Sequence, residues 1–381
     1  MKIFFESYIN NCIAKLTSYY DFVQKQSLPD VVPKNTILEF ISQLLYEIKN
    51  FQDQEGLLEE EFIPRNIRAF RTLLLKVNQL EYYALPIITH YNKEYDSYFN
   101  RIIKTINIEI GSPVAPPYIC SLSNARDYFW YESTFSTIFI PAIEKYSLLN
   151  LPDLFHELAH HILKEYKSNF KEKEDEWFSK YNMVLEQKMA ASDISDSNTL
   201  ARSHMIFSAY WPDFWSEELI CDLIACFCCG KSFAWTHLKI CHLKKTDVEG
   251  IDIKNEVYEY SETHPPDAYR ITAMFCMLDY LNINCDDIRQ AWESYTECID
   301  NNKPPLYDLY FPQALIFVYV KHVAAICDVI GLYPCTKNHK IETSTVYKLN
   351  QAWELFRTSQ EELKLYEKEF QIAFEGNRSS K

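Results

Sequence analysis

Only six glycines punctuate a chain of 381 residues. Glycine supplies the positive φ of most tight turns, so a many-stranded sheet is hard to build here and long helices are favoured. The apolar pattern agrees. Over 3–107, "SYINNCIAKLTSYYDFVQK", "NTILEFISQLLYEIKNF" and "YNKEYDSYFNRIIKTINI" place apolar residues every three or four positions, the period of a helix with one buried face. Breaks are predicted at "SLPDVVPKN" and near Pro64 and Pro86. Asn35 or Thr36 is predicted to cap the second helix, with Glu39 as the capping-box partner of Thr36.

The character changes at "GSPVAPPYICSLSNARDYFWYESTFSTIFIPAIEKY", where prolines cluster and β-branched and aromatic residues rise. "PYICSL" and "STFSTIFIP" are predicted as two short strands. Helical periodicity returns at 151–166, about 214–230, about 266–281, 286–299, 309–331 and 344–375. "EYKSNFKEKEDEWFSK" reads as a solvated helix face, "ASDISDSNTLA" as a loop, and the last residues "EGNRSSK" as frayed. The expected class is mainly α (α+β): an N-terminal helical region 1–110, a core 111–300 with a small sheet, and a C-terminal helical region 301–381.

A formal net charge of −15 repels polyanions, which argues against nucleic acid or an anionic membrane surface as the main partner. The opening "MKIFFESYINNCIAKL" places Glu6, Asn10 and Asn11 inside its apolar stretch and so does not read as a signal peptide. The twelve cysteines are therefore expected as reduced thiols in a cytoplasmic protein. "PQALIFVYVKHVAAICDVIGLY" is the most apolar run, but Lys321, His322 and Asp328 interrupt it. A buried helix is expected there, not a membrane span.

The chemistry is concentrated in "HELAH". Positions four apart share a helix face, so His156 and His160 can reach one metal ion, and Glu157 beside the first can point at a metal-bound water. An amphipathic helix with incidental histidines would give the same string. A catalytic zinc needs a third protein ligand, and "DFWSEELICDLIACFCCG" offers one. Glu218 and Asp222 are four apart in an otherwise apolar helix, where lone carboxylates are costly. Glu218 is the expected ligand, with Asp222 accepting a hydrogen bond from the far nitrogen of a ligand histidine. Glu217 is the rival, or a solvated side chain. In "ETHPPDAYRITAMF", His264 could stabilise an oxyanion, or simply sit at a helix start. Arg270 could pair with a carboxylate of the site or of a substrate. His161 is expected to face about 100° away from His160. A structural zinc could be built from "HLKICH", with His237, Cys241 and His242, or "CFCC", with Cys226, Cys228 and Cys229, but neither shows CxxC pairs at zinc-finger spacing, and buried thiols on an apolar helix are the expected reading.

The run "HELAH", then "EELICD", then "THPPDAYRI" resembles the gluzincin class of zinc metallopeptidases, and in order and spacing the CAAX prenyl protease and HtpX-like group, over roughly 130–280. The resemblance implies a zincin-like catalytic core, Zn2+ held by His156, His160 and Glu218, and Glu157 as general base. It also implies that "STFSTIFIP" is an edge strand along which an extended substrate can lie. That group is membrane-embedded, and this chain shows no uninterrupted span. The expected function is zinc-dependent hydrolysis of peptide bonds in a protein or peptide substrate. The alternative is a non-catalytic helical interaction protein on the same scaffold.

Overall fold

The computed structural model describes residues 2–54, 57, 59, 62–122, 129–191, 205–243, 256–298, 303–304, 307–338 and 341–375. Within these, the side chains of 2–4, 172–177, 180–182, 184–191, 213, 242–243, 256 and 309 are not described. The predicted loop "ASDISDSNTLA", apart from its first residue, and nearly all of the predicted frayed end lie outside the described residues, as do seven of the sixteen side chains of the predicted charged face. The fold is mainly helical with a three-stranded sheet. Contacts divide it into two units, 1–100 with 118–142, and 101–117 with 143–381.

The first unit is built from α1 (Lys2–Lys25), α2 (Lys34–Gln52), α3 (Ile63–Gln79), α4 (Leu85–Thr89) and the first half of α5 (Lys93–Glu109). Their three- and four-residue apolar spacing becomes one core: Phe5, Ile9 and Leu16 of α1 join Ile41, Leu44 and Ile48 of α2 and Phe70 of α3. The predicted cap at Asn35 or Thr36 is corrected. Helix α2 starts at Lys34, with Pro33 in the cap position and no side-chain cap bond, because the fixed φ of proline already sets the chain up for a first turn. The predicted break near Pro86 is corrected too. A π turn at Leu80–Ala84 joins α3 to α4, and the Leu85 N–H bonds the Leu80 carbonyl five residues back. The wider turn accommodates a proline that lacks an N–H to donate.

The sheet holds three strands, where two are expected: β1 (Tyr118–Cys120), β2 (Trp130–Glu132) and β3 (Thr137–Phe139), in the order β1-β3-β2. Strand β3 pairs parallel to β1 and antiparallel to β2. The expectation that "STFSTIFIP" forms a free edge is therefore overturned, since β3 is the central strand. Its neighbour β2 has no β-branched residue, the signal that marks β1 through Ile119 and β3 through Thr137 and Ile138. Tertiary stacking of Trp130 on Phe139, at 4.1 Å between ring centroids, helps to seat it.

The second unit contains α6 (Asp153–Ala191), α7 (Ser216–Cys229), α8 (Lys231–Leu243), α9 (Asp267–Tyr280), α10 (Asp286–Cys298), α11 (Gln313–Ile330), α12 (Thr345–Thr358) and α13 (Gln360–Glu375). The helix predicted to end at 166 breaks its regular geometry at Tyr166, with φ −112° and ψ 21°, and then resumes. The stretch 344–375 is two helices parted at the extended Ser359, and Ser344 caps the first by accepting the Tyr347 N–H at 3.0 Å. Among the described residues one helix, α11, is long and apolar enough to cross a membrane by length and composition. Its Leu315, Tyr319, Val323 and Cys327 form a buried face, and α11 packs against α7 and α9.

Residues 110 and 111 close this unit on the end of α11. The Tyr333 N–H donates to the Ile110 carbonyl at 2.7 Å. Gly111 has φ +67°, and a Cβ there would stand 2.8 Å from the Gly331 carbonyl oxygen and 2.9 Å from the Tyr333 ring. Left-handed backbone alone costs a non-glycine residue about 1–2 kcal/mol. Gly111→Ala is expected to lose at least that much in urea unfolding, and an unchanged midpoint would show that this junction yields freely.

Candidate metal centre

Helix α6 delivers two imidazoles to one place because they are four residues apart on it. Leu154, Phe155, Leu158, Ala159 and Ile162 are buried around them, so this face of the helix meets protein. Helix α7 packs against it, and from Leu219 to Cys229 it is buried on every side and apolar but for Asp222. Its start is set by a second π turn, Trp211–Trp215, in which the Ser216 N–H bonds the Trp211 carbonyl past Pro212. Trp211 and Trp215 are fully buried. The indole of Trp215 donates to the Ser261 carbonyl at 3.0 Å, and the Ser261 hydroxyl accepts the His264 N–H at 2.9 Å. The turn that phases α7 thereby also holds the loop of His264. Helix α7 ends at Gly230, φ +77°, where a Cβ would meet Cys335 Sγ at 3.1 Å.

The predicted residues fall together. His156 Nε2 and His160 Nε2 are 3.2 Å apart. Glu218 Oε2 is 3.2 Å from His156 Nε2, and Glu218 Oε1 is 3.4 Å from His160 Nε2. His156 Nδ1 stands 2.9 Å from Asp222 Oδ1, and Asp222 is gripped by Arg270 through Nε at 2.6 Å and Nη2 at 2.7 Å. His264 Nε2 approaches Glu218 Oε2 to 3.3 Å, at the rim, with half of its side chain exposed. His161 turns elsewhere, with Nε2 2.9 Å from the Ala115 carbonyl. Cys226, Cys228 and Cys229 are buried, and burial raises their thiol pKa values, which keeps them protonated.

Two features lie beyond the sequence reading. Glu217 is partly exposed, and its Oε1 lies 3.3 Å from His160 Nδ1, as Asp222 lies beside His156 Nδ1. Asp153, four residues before Glu157, is the second. Burial and then the Glu157 charge push its carboxyl up to about 7. The spacing in "DLFHE" carries that signal, but only the depth of the site makes it matter.

These residues fit a metal ion. A carboxylate beside each Nδ1 favours the proton on that nitrogen, which leaves both Nε2 atoms as lone pairs aimed at each other and at Glu218. Glu218 Oε2 is buried without a hydrogen bond. Three bases meeting at 3.2–3.4 Å repel one another unless a cation or a proton stands among them. Ligands at about 2.0–2.1 Å around a tetrahedral ion are separated by about 3.3–3.4 Å. With no ion present, burial disfavours charge on His156, but Asp222 and Glu218 outweigh it and hold its pKa well above the ordinary range. Burial likewise opposes the Glu218 charge, and the His156, His160 and His264 rings reverse it to hold the carboxyl below its usual range. Asp222 is held low against burial by Arg270. Burial raises Glu157, although His156 and His160 oppose the rise. His156, His160 and Glu218 are the residues that could hold the ion.

Comparison with known protein families, curated proteins and solved structures finds no match for this chain.

Residues that orient metal-ligating histidines typically change affinity by about 10–100-fold when lost. Glu217→Ala is expected to weaken metal binding within that range in competition with a chelator. Wild-type affinity in the variant would mean that His160 needs no help to face the ion.

Proposed function

We propose that this chain is a zinc-dependent peptidase of the gluzincin type, built on a zincin-like core, with Glu157 as its general base. The observation that carries the reading is the convergence of His156 Nε2, His160 Nε2 and Glu218 at mutual distances of 3.2–3.4 Å, with a carboxylate behind each imidazole. Two imidazoles and a carboxylate suit zinc, and three protein ligands leave a fourth position open. When bound, the ion supplies an acidified water and polarises the scissile carbonyl.

The remaining work falls to the side chains. Glu157 follows a ligand directly on α6 and is buried, and its raised pKa brings it closer to neutrality, where a general base works best. It accepts a proton from the attacking water at its carboxylate and returns it to the leaving nitrogen. Thr263 Oγ1 lies 2.7 Å from His264 Nδ1, so the hydroxyl can donate there and leave an Nε2–H facing the site. Partial burial holds the His264 pKa below the ordinary imidazole range, which favours that neutral ring. The Nε2–H then serves the oxyanion of the addition step. Arg270 keeps Asp222 ionised and in place behind His156.

The substrate in this reading is a protein or peptide, since a chain of net charge −15 disfavours nucleic acid. Twelve cysteines, none of them in a disulfide, support a reducing, cytoplasmic setting. The test is to map new protein termini in extracts treated with the wild type and with Glu157→Gln, alongside metal content. Termini made by the wild type alone, and a zinc equivalent lost in His160→Ala, are expected. Identical termini from both proteins would end the proposal.

A further inference from the structure

Helices α8 and α9 meet around three buried side chains, none of which is a ligand of the centre above. His237 and Cys241 lie four apart on α8 and so project from one face. Asp267 is the first residue of α9. Their exposures are 5%, 2% and 3%. A donor atom from each, imidazole nitrogen, thiol sulfur and carboxylate oxygen, lies within 4.8 Å of the other two. His237 Nε2 is 3.5 Å from Asp267 Oδ1.

We propose that His237, Cys241 and Asp267 form a second metal site, which takes a zinc-like borderline cation and clamps α8 to the start of α9. The donor set is the reason for the choice of ion. Thiolate selects against magnesium and calcium, while imidazole and carboxylate alongside it suit zinc and its neighbours. The geometry allows it: bonds of about 2.0–2.2 Å to nitrogen and oxygen and about 2.3 Å to sulfur set ligand separations of about 3.3–3.7 Å on a tetrahedron. The nitrogen–oxygen separation of 3.5 Å falls inside that range, and the sulfur lies within 4.8 Å of both. The side chain of His242 lies outside the described residues, and the site is stated on three ligands.

The clamp has a consequence for the rest of the unit. Arg270 is three residues beyond Asp267 on α9, and His264 is three residues before it. A metal cross-link at Asp267 would therefore steady the segment that presents both. The site is independent of the peptidase reading, because no ligand is common to the two centres.

Cobalt is the probe that separates them. A thiolate ligand gives cobalt a strong near-ultraviolet charge-transfer band, and the His156, His160 and Glu218 centre has no sulfur to give one. The full-length chain is loaded with cobalt as wild type, as His156→Ala/His160→Ala and as Cys241→Ser, and zinc per chain is counted in protein purified without a chelator. The expected results are the band in the wild type and in the double variant, its loss in Cys241→Ser, and two zinc ions per wild-type chain falling to one in the double variant. No band in the wild type, or a band that survives Cys241→Ser, overturns the proposal and reduces the three residues to a buried hydrogen-bonded cluster. So does a folded double variant that retains no zinc. If either variant fails to fold by circular dichroism, the wild-type band and the count of two ions decide the matter. Loss of the second site leaves the Glu157 experiment untouched, and the reverse holds equally.

Discussion

Glu157→Gln is expected, on the proposed peptidase reading, to lower peptide hydrolysis by about two to four orders of magnitude while the metal content stays at the wild-type value. The size follows from what a positioned acid–base group contributes, about 10²–10⁴ in rate. Glutamine keeps the shape of the side chain and loses the proton acceptor. The ligand atoms of the proposed centre are on His156, His160 and Glu218, so the ion should remain. Stability should change little or rise, since burial is the dominant influence on Glu157 and disfavours its charge. Turnover measured beside zinc content therefore separates loss of base from loss of metal. Wild-type turnover in the variant would remove Glu157 from the mechanism. Parallel loss of metal and activity would make it a structural residue of the centre.

Arg270→Ala is expected to cost about 3–5 kcal/mol, the usual consequence of stripping one partner from a buried ion pair. Asp222 is fully buried and takes its two shortest charged contacts from Arg270, at 2.6 and 2.7 Å, with His156 Nδ1 at 2.9 Å as the third. Without them a carboxylate is left in the apolar heart of α7. The sign with pH can be worked out. Asp222 is held below its unfolded value, so its share of stability is present above about pH 4 and lost as pH falls toward the depressed folded value. Urea unfolding at neutral pH should show the deficit in full, with a smaller gap between wild type and variant at low pH. The double variant Arg270→Met/Asp222→Leu should recover much of the stability, because a well-packed apolar pair can replace a buried ionic one. It should still bind metal weakly, because His156 Nδ1 loses the group 2.9 Å behind it. Recovery of both would show that Asp222 serves the fold alone.

Much of the centre was legible in the sequence because its parts are local. Helical spacing puts His156 and His160 on one face whatever surrounds them. The same rule pairs Glu218 with Asp222, and the cost of carboxylates in an apolar run marks them as partnered. The role of Glu217 was not legible. Whether that side chain meets solvent, a metal or His160 depends on the rotation of α7, which the π turn at Trp211–Trp215 sets through backbone bonding that no residue pattern announces. The same holds at Pro86, where proline signals a break and a π turn carries the helix on.

What the sequence determined by itself is the helical class, set by scarce glycine and three- and four-residue apolar spacing, and the pairing of side chains on one helix face in "HELAH" and "EELICD". Those features follow from short-range geometry, in which covalent spacing fixes direction. What only the tertiary structure decided is convergence: Glu217 and His160, 57 residues apart in the chain, come to 3.3 Å, β3 becomes an interior strand, and Asp267 joins His237 and Cys241. The reason is physical. Long-range contacts are selected by how whole buried faces pack against one another, and that choice belongs to the packed assembly of helices, with no single stretch of residues encoding it.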